Sequence, residues 1–123
     1  PKIYGNRSQL QQVLLNLIRN AKEAMTAENS AFRRIVVSAS HLTRPGYVEF
    51  AVSDSGPGIR DDLRPHLFTP LHSTKADGLG LGLSLCRSMI TNHGGEIWHD
   101  DSVRTGATFV FTVPVSGRGM VGR

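Results

Sequence analysis

Apolar residues at Leu10, Val13, Leu14, Leu17, Ile18, Ala21 and Met25 recur at spacings of three and four, laying one stripe along about four turns of helix. Ser8, with Gln11 three residues on, reads as the capping box that opens it. Residues 1–7 ahead of it read as the end of a short strand and a turn. After a polar loop from Thr26 to Arg33 the period changes to two: Ile35, Val37 and Ala39 alternate with Val36, Ser38 and Ser40. Turn chemistry at Thr43-Arg44-Pro45-Gly46 leads into a second strand, Tyr47 to Ser53, with Val48, Phe50 and Val52 on one face. The pair predicts an antiparallel hairpin that delivers its end to Asp54. A short helix is expected over Arg60 to His66. Leu83, Cys86, Met89, Ile90 and His93 return to helical spacing, closed by Gly94-Gly95. Glu96 to His99 and Ala107 to Val113 read as the last strands, with Phe109, Phe111 and Val113 alternating with Thr108, Val110 and Thr112.

Composition narrows the class. The 123 residues suit one domain, and 39% hydrophobic with 20% charged residues points to a packed core rather than disorder. We expect that domain over 1–115, followed by a flexible glycine-rich tail over 116–123. No apolar run is long enough to span a membrane and no signal peptide is visible. The one cysteine, Cys86, precludes an internal disulfide and suits a reducing, cytoplasmic setting; on the apolar helix face it reads as a small buried hydrophobe. The net charge of +4 raises nucleic acid as a partner, but the arginines are scattered from Arg7 to Arg123 without a basic stripe or an aromatic platform. No nucleic-acid or membrane contact by this domain is expected.

Four short stretches carry the candidate chemistry. Asn16 and Asn20 sit four apart at the border of the first helix's apolar stripe, where asparagine is a poor helix former. They read either as solvated amides or as oxygens directed into a cleft, where Mg²⁺ accepts such hard ligands. Asp54-Ser55-Gly56-Pro57-Gly58-Ile59 is either an Asx-turn with glycines for positive φ, or a carboxylate for an amino group beside backbone bare enough for a flat ring. Lys75, in an exposed loop after Phe68 and Pro70, is a solvated cation or a point charge for a terminal phosphate. In Asp77 to Leu85, D-G-L-G-L-G-L-S-L, glycines at Gly78, Gly80 and Gly82 run into a helix start. Bare amides and the helix dipole favour an anion there, though close packing or a flexible linker would use the same residues.

Taken in order, the paired asparagines, D-x-G-x-G after a strand, F-x-P-x-x-S-T-K and G-x-G-x-G opening a helix resemble the ATP-binding catalytic domain of bacterial sensor histidine kinases. That domain shares a superfamily with gyrase, heat-shock chaperones and mismatch-repair ATPases. The likeness runs from about Ile3 to Pro114. L-Q-Q-V-L-L-N-L-I-R-N-A-K-E-A-M and F-T-P-L-H-S-T-K look like the nitrogen- and oxygen-responsive branch.

The resemblance implies a two-layer α/β sandwich of the Bergerat type, with a mixed, mainly antiparallel sheet against three helices. An ATP lid would run from about Pro70 to Leu79. It further implies Asn20 as the Mg²⁺ ligand, with Asn16 contributing nearby to metal or phosphate. Asp54 would accept the adenine amino hydrogen, Gly56 and Gly58 would let the ring approach, and Ile59 would line its pocket. Thr74 and Lys75, with Gly78, Leu79, Gly80, Leu81 and Gly82, would lie on the phosphates, and Asn16, Asn20 and Lys75 would serve catalysis. Thr108 would sit behind Asp54 with an ordered water. Many relatives carry a basic residue three places after Asn20; here that place is Glu23, with Lys22 just before it.

Two absences sharpen the expected activity. Gyrase-type ATPases place a general-base glutamate one turn before the metal asparagine; here Asn16 stands there and cannot take a proton. Transfer to a strong nucleophile such as imidazole needs less help, which favours a protein-histidine kinase over a hydrolytic ATPase or clamp-type switch. A non-catalytic interaction module is the remaining alternative. None of His41, His66, His72, His93 or His99 has a phosphoacceptor context, so the accepting histidine is expected on an upstream dimerisation domain. The implied partners are that domain and a cognate response regulator. The parent is expected to be a homodimer, and this piece a monomer that does not autophosphorylate alone.

Overall fold

The computed structural model describes residues 6–27, 33–41, 45–59, 61–69, 79–102 and 106–115. Its elements are α1 (Arg7–Ala27), β1 (Ile35–Ser40), β2 (Tyr47–Asp54), a 3-10 turn (Arg64–His66), α2 (Leu79–Asn92), β3 (Ile97–His99) and β4 (Thr108–Pro114). The strand ahead of the first helix and the 116–123 tail fall outside the described residues.

The first helix begins one turn-position earlier than its expected cap. Asn6, not Ser8, is the cap: its side-chain oxygen accepts the Gln9 N–H at 3.0 Å and its carbonyl accepts the Leu10 N–H at 3.0 Å. Ser8 therefore lies inside the first turn, where its hydroxyl has no orphan amide to serve. At the other end of α2, Gly94 takes φ +85°, its N–H donates to Thr91 O, and the Gly95 N–H reaches back to Ile90 O, both at 3.0 Å. That is a Schellman ending. Gly95 is fixed by crowding as well, since a Cβ there would stand 1.8 Å from Thr112 O.

The sheet order is β1-β2-β4-β3, and every pairing among the described residues is antiparallel. The expected mixed sheet and three helices are thus replaced, among these residues, by an antiparallel sheet and two α-helices. The stretch expected as a third helix yields only the 3-10 turn: Arg64, Pro65 and His66 are all exposed, so no apolar face holds a longer helix against the core.

Register places Val48 opposite Val113, Phe50 opposite Phe111 and Val52 opposite Phe109, so these side chains share one face. Phe50 and Phe111 stack with centroids 4.9 Å apart. Val13 and Leu17 of α1, with Leu83, Cys86 and Ile90 of α2, close over that face. Each such fully buried aliphatic chain contributes roughly 1.5–3 kcal/mol of transfer free energy. The helices stand over the sheet's middle. Edge strand β1 is consequently open on both faces, with Val36 45% and Val37 47% exposed. Central β4 is buried on both, and its hydroxyls are satisfied: Thr112 Oγ1 accepts the Glu96 N–H at 3.1 Å, and Thr108 Oγ1 lies 2.9 Å from Ser53 Oγ.

Candidate nucleotide site

Strand β2 ends by presenting Asp54 at the rim of the core. Its carboxylate Oδ1 accepts two backbone bonds, from the Gly56 N–H at 2.8 Å and the Ala107 N–H at 3.3 Å. The first is the Asx-turn bond that Asp-x-Gly encodes locally; the second comes from the start of β4, 53 residues away. The Asp54 N–H returns a bond to Ala107 O at 2.9 Å. Between these anchors runs Gly106 with φ +69°, where a Cβ would overlap the Asp54 carbonyl oxygen at 1.8 Å. The sequence reading missed Gly106 and Ala107. The only local signal was the glycine in G-A-T-F, and its reason is a tertiary approach.

Gly56 and Gly58 form the floor beside Asp54. A Cβ on Gly56 would meet Asp54 Oδ1 at 3.0 Å and Met25 Cγ at 3.2 Å, while Gly58 holds φ +86° and a Cβ there would stand 3.2 Å from Gly106 O. Met25, read in the sequence only as the end of the apolar stripe, also supports the site: the buried end of α1 leans on this loop, and Ser55 Oγ lies 3.3 Å from its sulfur. Ile59 packs against the core cluster. A cavity of about 410 Å³ opens beside Pro57, Gly58, Ile59 and Gly106, with Arg64, His99 and Asp101 on its far wall. His99 Nδ1 sits 3.0 Å from Asp101 Oδ1.

Thr108 does not fill the role expected of it. It pairs with Ser53 across the ladder, so its hydroxyl lies on the sheet face opposite Asp54 and is held by Ser53 Oγ. The residue that reaches the carboxylate is its neighbour Ala107, through the backbone.

On α1, both asparagines are buried, each 8% exposed, and Asn16 lies at the seam with α2. Asn16 is engaged at both ends. Its oxygen accepts a bond from Gln12 Nε2 at 3.1 Å, and its Nδ2 donates to Cys86 Sγ at 3.6 Å. Cys86 is free and wholly buried, and burial pushes its thiol above the ordinary 9.0 against a smaller opposing effect of the Asn16 bond. It is a packed hydrophobe, as expected. Asn20 differs sharply: its Nδ2 is buried and has no hydrogen-bond partner among the described residues. An orphaned buried amide costs about 1–3 kcal/mol, so such groups are rare unless something completes them.

Helix α2 opens at Leu79, which puts Gly80 and Gly82 inside its first turn rather than in a loop. The amides of Leu79, Gly80 and Leu81 are among those an α-helix leaves unpaired at its start, and Gly82 is where intrahelical bonding begins. A Cβ at Gly82 would meet nothing within 4 Å, so packing does not explain that glycine. Thr74, Lys75, Gly78 and the rest of the expected lid before Leu79 lie outside the described residues. The far end of α2 is tied to the start of α1: the Asn6 N–H donates to His93 Nε2 at 2.9 Å. His93 Nε2 must therefore accept, and its Nδ1–H donates to Met89 O at 2.7 Å. His93 is a structural residue.

A carboxylate framed by glycines, beneath two helices of which one starts with bare amides and the other carries an unmet amide, is the architecture of a nucleotide-binding α/β domain. The family described as histidine kinase-, DNA gyrase B- and HSP90-like ATPase matches residues 5–117. The chain belongs to this family, within the ATP-binding catalytic domains of sensor histidine kinases. It is 43% identical over 114 residues to the sensor protein FixL of Bradyrhizobium diazoefficiens, covering 93% of this chain and 22% of that protein. It is 41% identical over 126 residues to the sensory histidine kinase/phosphatase NtrB of Rhizobium leguminosarum bv. phaseoli, covering 94% and 33%. Among solved structures, the nucleotide-free catalytic domain of histidine kinase ThkA superposes with a TM-score of 0.76 at 35% identity, covering 91% of this chain and 71% of that one. ThkA in complex with the response regulator protein TrrA gives 0.68 at 32%, covering 90% and 30%. The chain thus spans a third or less of the curated relatives' length. No helix among the described residues is long and apolar enough to cross a membrane.

Proposed function

We propose that this chain binds Mg²⁺-ATP and, within its parent protein, transfers the γ-phosphoryl group to a histidine on an upstream dimerisation domain, for relay to a response-regulator aspartate. The observation that carries the metal part is the orphaned buried amide of Asn20. The two ends of an asparagine amide exchange by a half-turn, and no hydrogen bond from the nitrogen holds it in the buried position among the described residues. The oxygen can take its place and meet a hard cation that keeps its waters and the nucleotide phosphates as its other ligands. Asn20 would hold Mg²⁺, which when bound neutralises charge on the transferring phosphoryl group.

The chain's own residues divide the remaining work. Asp54 accepts the 6-amino hydrogen of adenine. Gly56 and Gly58 keep the backbone low enough for the ring, and Ile59 lines it. The amides of Leu79, Gly80 and Leu81 receive the phosphates at the start of α2, with Gly82 bare beside them and Thr74, Lys75 and Gly78 closing from a lid over about 70–79. Asn16, held between Gln12 and Cys86, keeps α1 and α2 in register beside the phosphates and offers no base to activate water. That favours transfer to imidazole over hydrolysis. The solved complex of ThkA with TrrA supports a response regulator as the downstream partner.

Calorimetric titration with a non-hydrolysable ATP analogue tests this reading. Binding should require both the analogue and Mg²⁺, and phosphate release from ATP by the chain alone should be slow. Tight binding without Mg²⁺, or rapid hydrolysis, would overturn it.

A further inference from the structure

We propose that Gly106 and Ala107 are specificity-determining residues of the nucleotide site: with the Gly56 N–H they lock the Asp54 side chain so that only one of its oxygens can face the base, which commits the site to a 6-aminopurine. The proposal rests on Asp54 being the base-reading residue, as argued above.

Both locking bonds end on the same oxygen. The Gly56 N–H reaches Oδ1 at 2.8 Å and the Ala107 N–H at 3.3 Å, leaving Oδ2 as the oxygen the lock does not use. Residues 54 and 107 also bond through the main chain, Asp54 N–H to Ala107 O at 2.9 Å. The close passage of Gly106 makes this approach possible, because a Cβ there would fall 1.8 Å from Asp54 O and 3.1 Å from Oδ1. A backbone N–H can only donate, so whatever atom occupies the locked position must accept. For aspartate this restriction has no visible consequence, since its two oxygens are alike. For asparagine it decides the chemistry. In Asp54→Asn the side-chain oxygen must take the locked position, and the NH₂ must take the outward one. The outward group changes from acceptor to donor.

Adenine presents a donor at position 6, whereas hypoxanthine presents a carbonyl acceptor there. The lock therefore predicts a reversal of preference. Without the lock the asparagine would turn its oxygen toward adenine, and the original preference would survive.

Competition binding on the 123-residue chain with Mg²⁺ and either ATP or ITP tests this. The parent should prefer ATP by at least about tenfold, the scale of one hydrogen bond to a charged group, and Asp54→Asn should prefer ITP. A variant that still prefers ATP, or that weakens both nucleotides equally, would overturn the lock. A parent that does not distinguish the two nucleotides would remove the base-reading role of Asp54 itself, a different failure. Gly106→Ala displaces the Asp54 carbonyl and should drive the ATP:ITP ratio toward one, which a loss of stability alone would not do. Should Asp54→Asn fail to fold, amide exchange on the nucleotide-free parent decides: Gly56 and Ala107 should be protected at least about a hundredfold, and free exchange at either would contradict a preformed lock.

Discussion

At the Asp54 end of the site, polar contacts run to backbone N–H groups that are already in place. At the Asn20 end, a buried side-chain amide nitrogen stands without a partner among the described residues. The two ends are built from different materials and are complete to different degrees. On the reading proposed above, base recognition would be fixed by the ladder, by the Asx-turn and by glycines crowded to within contact distance, and so would be present before any ligand arrives. Metal and phosphate recognition would depend on an unmet amide nitrogen and on the bare first turn of α2. A ligand that satisfies the second end gains the interaction the free chain lacks, while the first end supplies selectivity without rearrangement.

The largest effect expected from breaking this arrangement is at the rigid end. Gly106→Ala drives a methyl into the Asp54 carbonyl and places alanine at φ +69°, and should lower unfolding free energy by roughly 2–4 kcal/mol, read by chemical denaturation. Gly82→Ala, on the other helix, meets nothing and should raise stability by up to about 1 kcal/mol through helix propensity. Its cost should appear only in nucleotide affinity. Asn16→Ala removes the bonds to Gln12 and Cys86 and should lower stability by about 1–2 kcal/mol, with a smaller loss of Mg²⁺-ATP affinity than a change at Asn20.

The smallest effect is in pH dependence. Burial raises the Cys86 thiol above its ordinary 9.0, so the folded chain holds that proton more tightly than the unfolded chain. Its contribution is fully present below pH 9.0 and is lost as pH climbs from there toward the raised value. Denaturation of the parent and Cys86→Ala across the alkaline range should show a slope in the parent that the variant lacks. The same thiol should resist alkylation while the chain is folded.

Periodicity carried the parts of this fold whose cause is local. The stripe from Leu10 to Met25, the hairpin into Asp54 and the Gly94 ending each follow from neighbours within a turn or a strand. What escaped the sequence depends on distant partners. Asn6 outcompetes Ser8 as the cap by its position, since the helix starts at Arg7. The alternation Thr108, Val110, Thr112 suggests a wet face, yet β4 is central and those hydroxyls are held by Ser53 and by the Glu96 amide. The same register turns Thr108 away from Asp54 and brings Ala107 to it. Gly95 and Gly106 look like turn residues in sequence; each is glycine because a carbonyl from another strand occupies the place of its side chain. The unmet amide of Asn20 is invisible to any pattern, because it is a property of what surrounds the residue.

That amide offers the most direct test. The unfolding free energy of Asn20→Ala and of the parent should be compared with and without saturating Mg²⁺-ATP analogue. The amide nitrogen makes no hydrogen bond to the described residues of the free protein, so the variant should lose less than about 1 kcal/mol of stability without ligand. It should then gain at least about 1.4 kcal/mol less from the ligand, the equivalent of a tenfold weaker complex. A variant clearly less stable when free, or stabilised by Mg²⁺-ATP as strongly as the parent, would contradict the account.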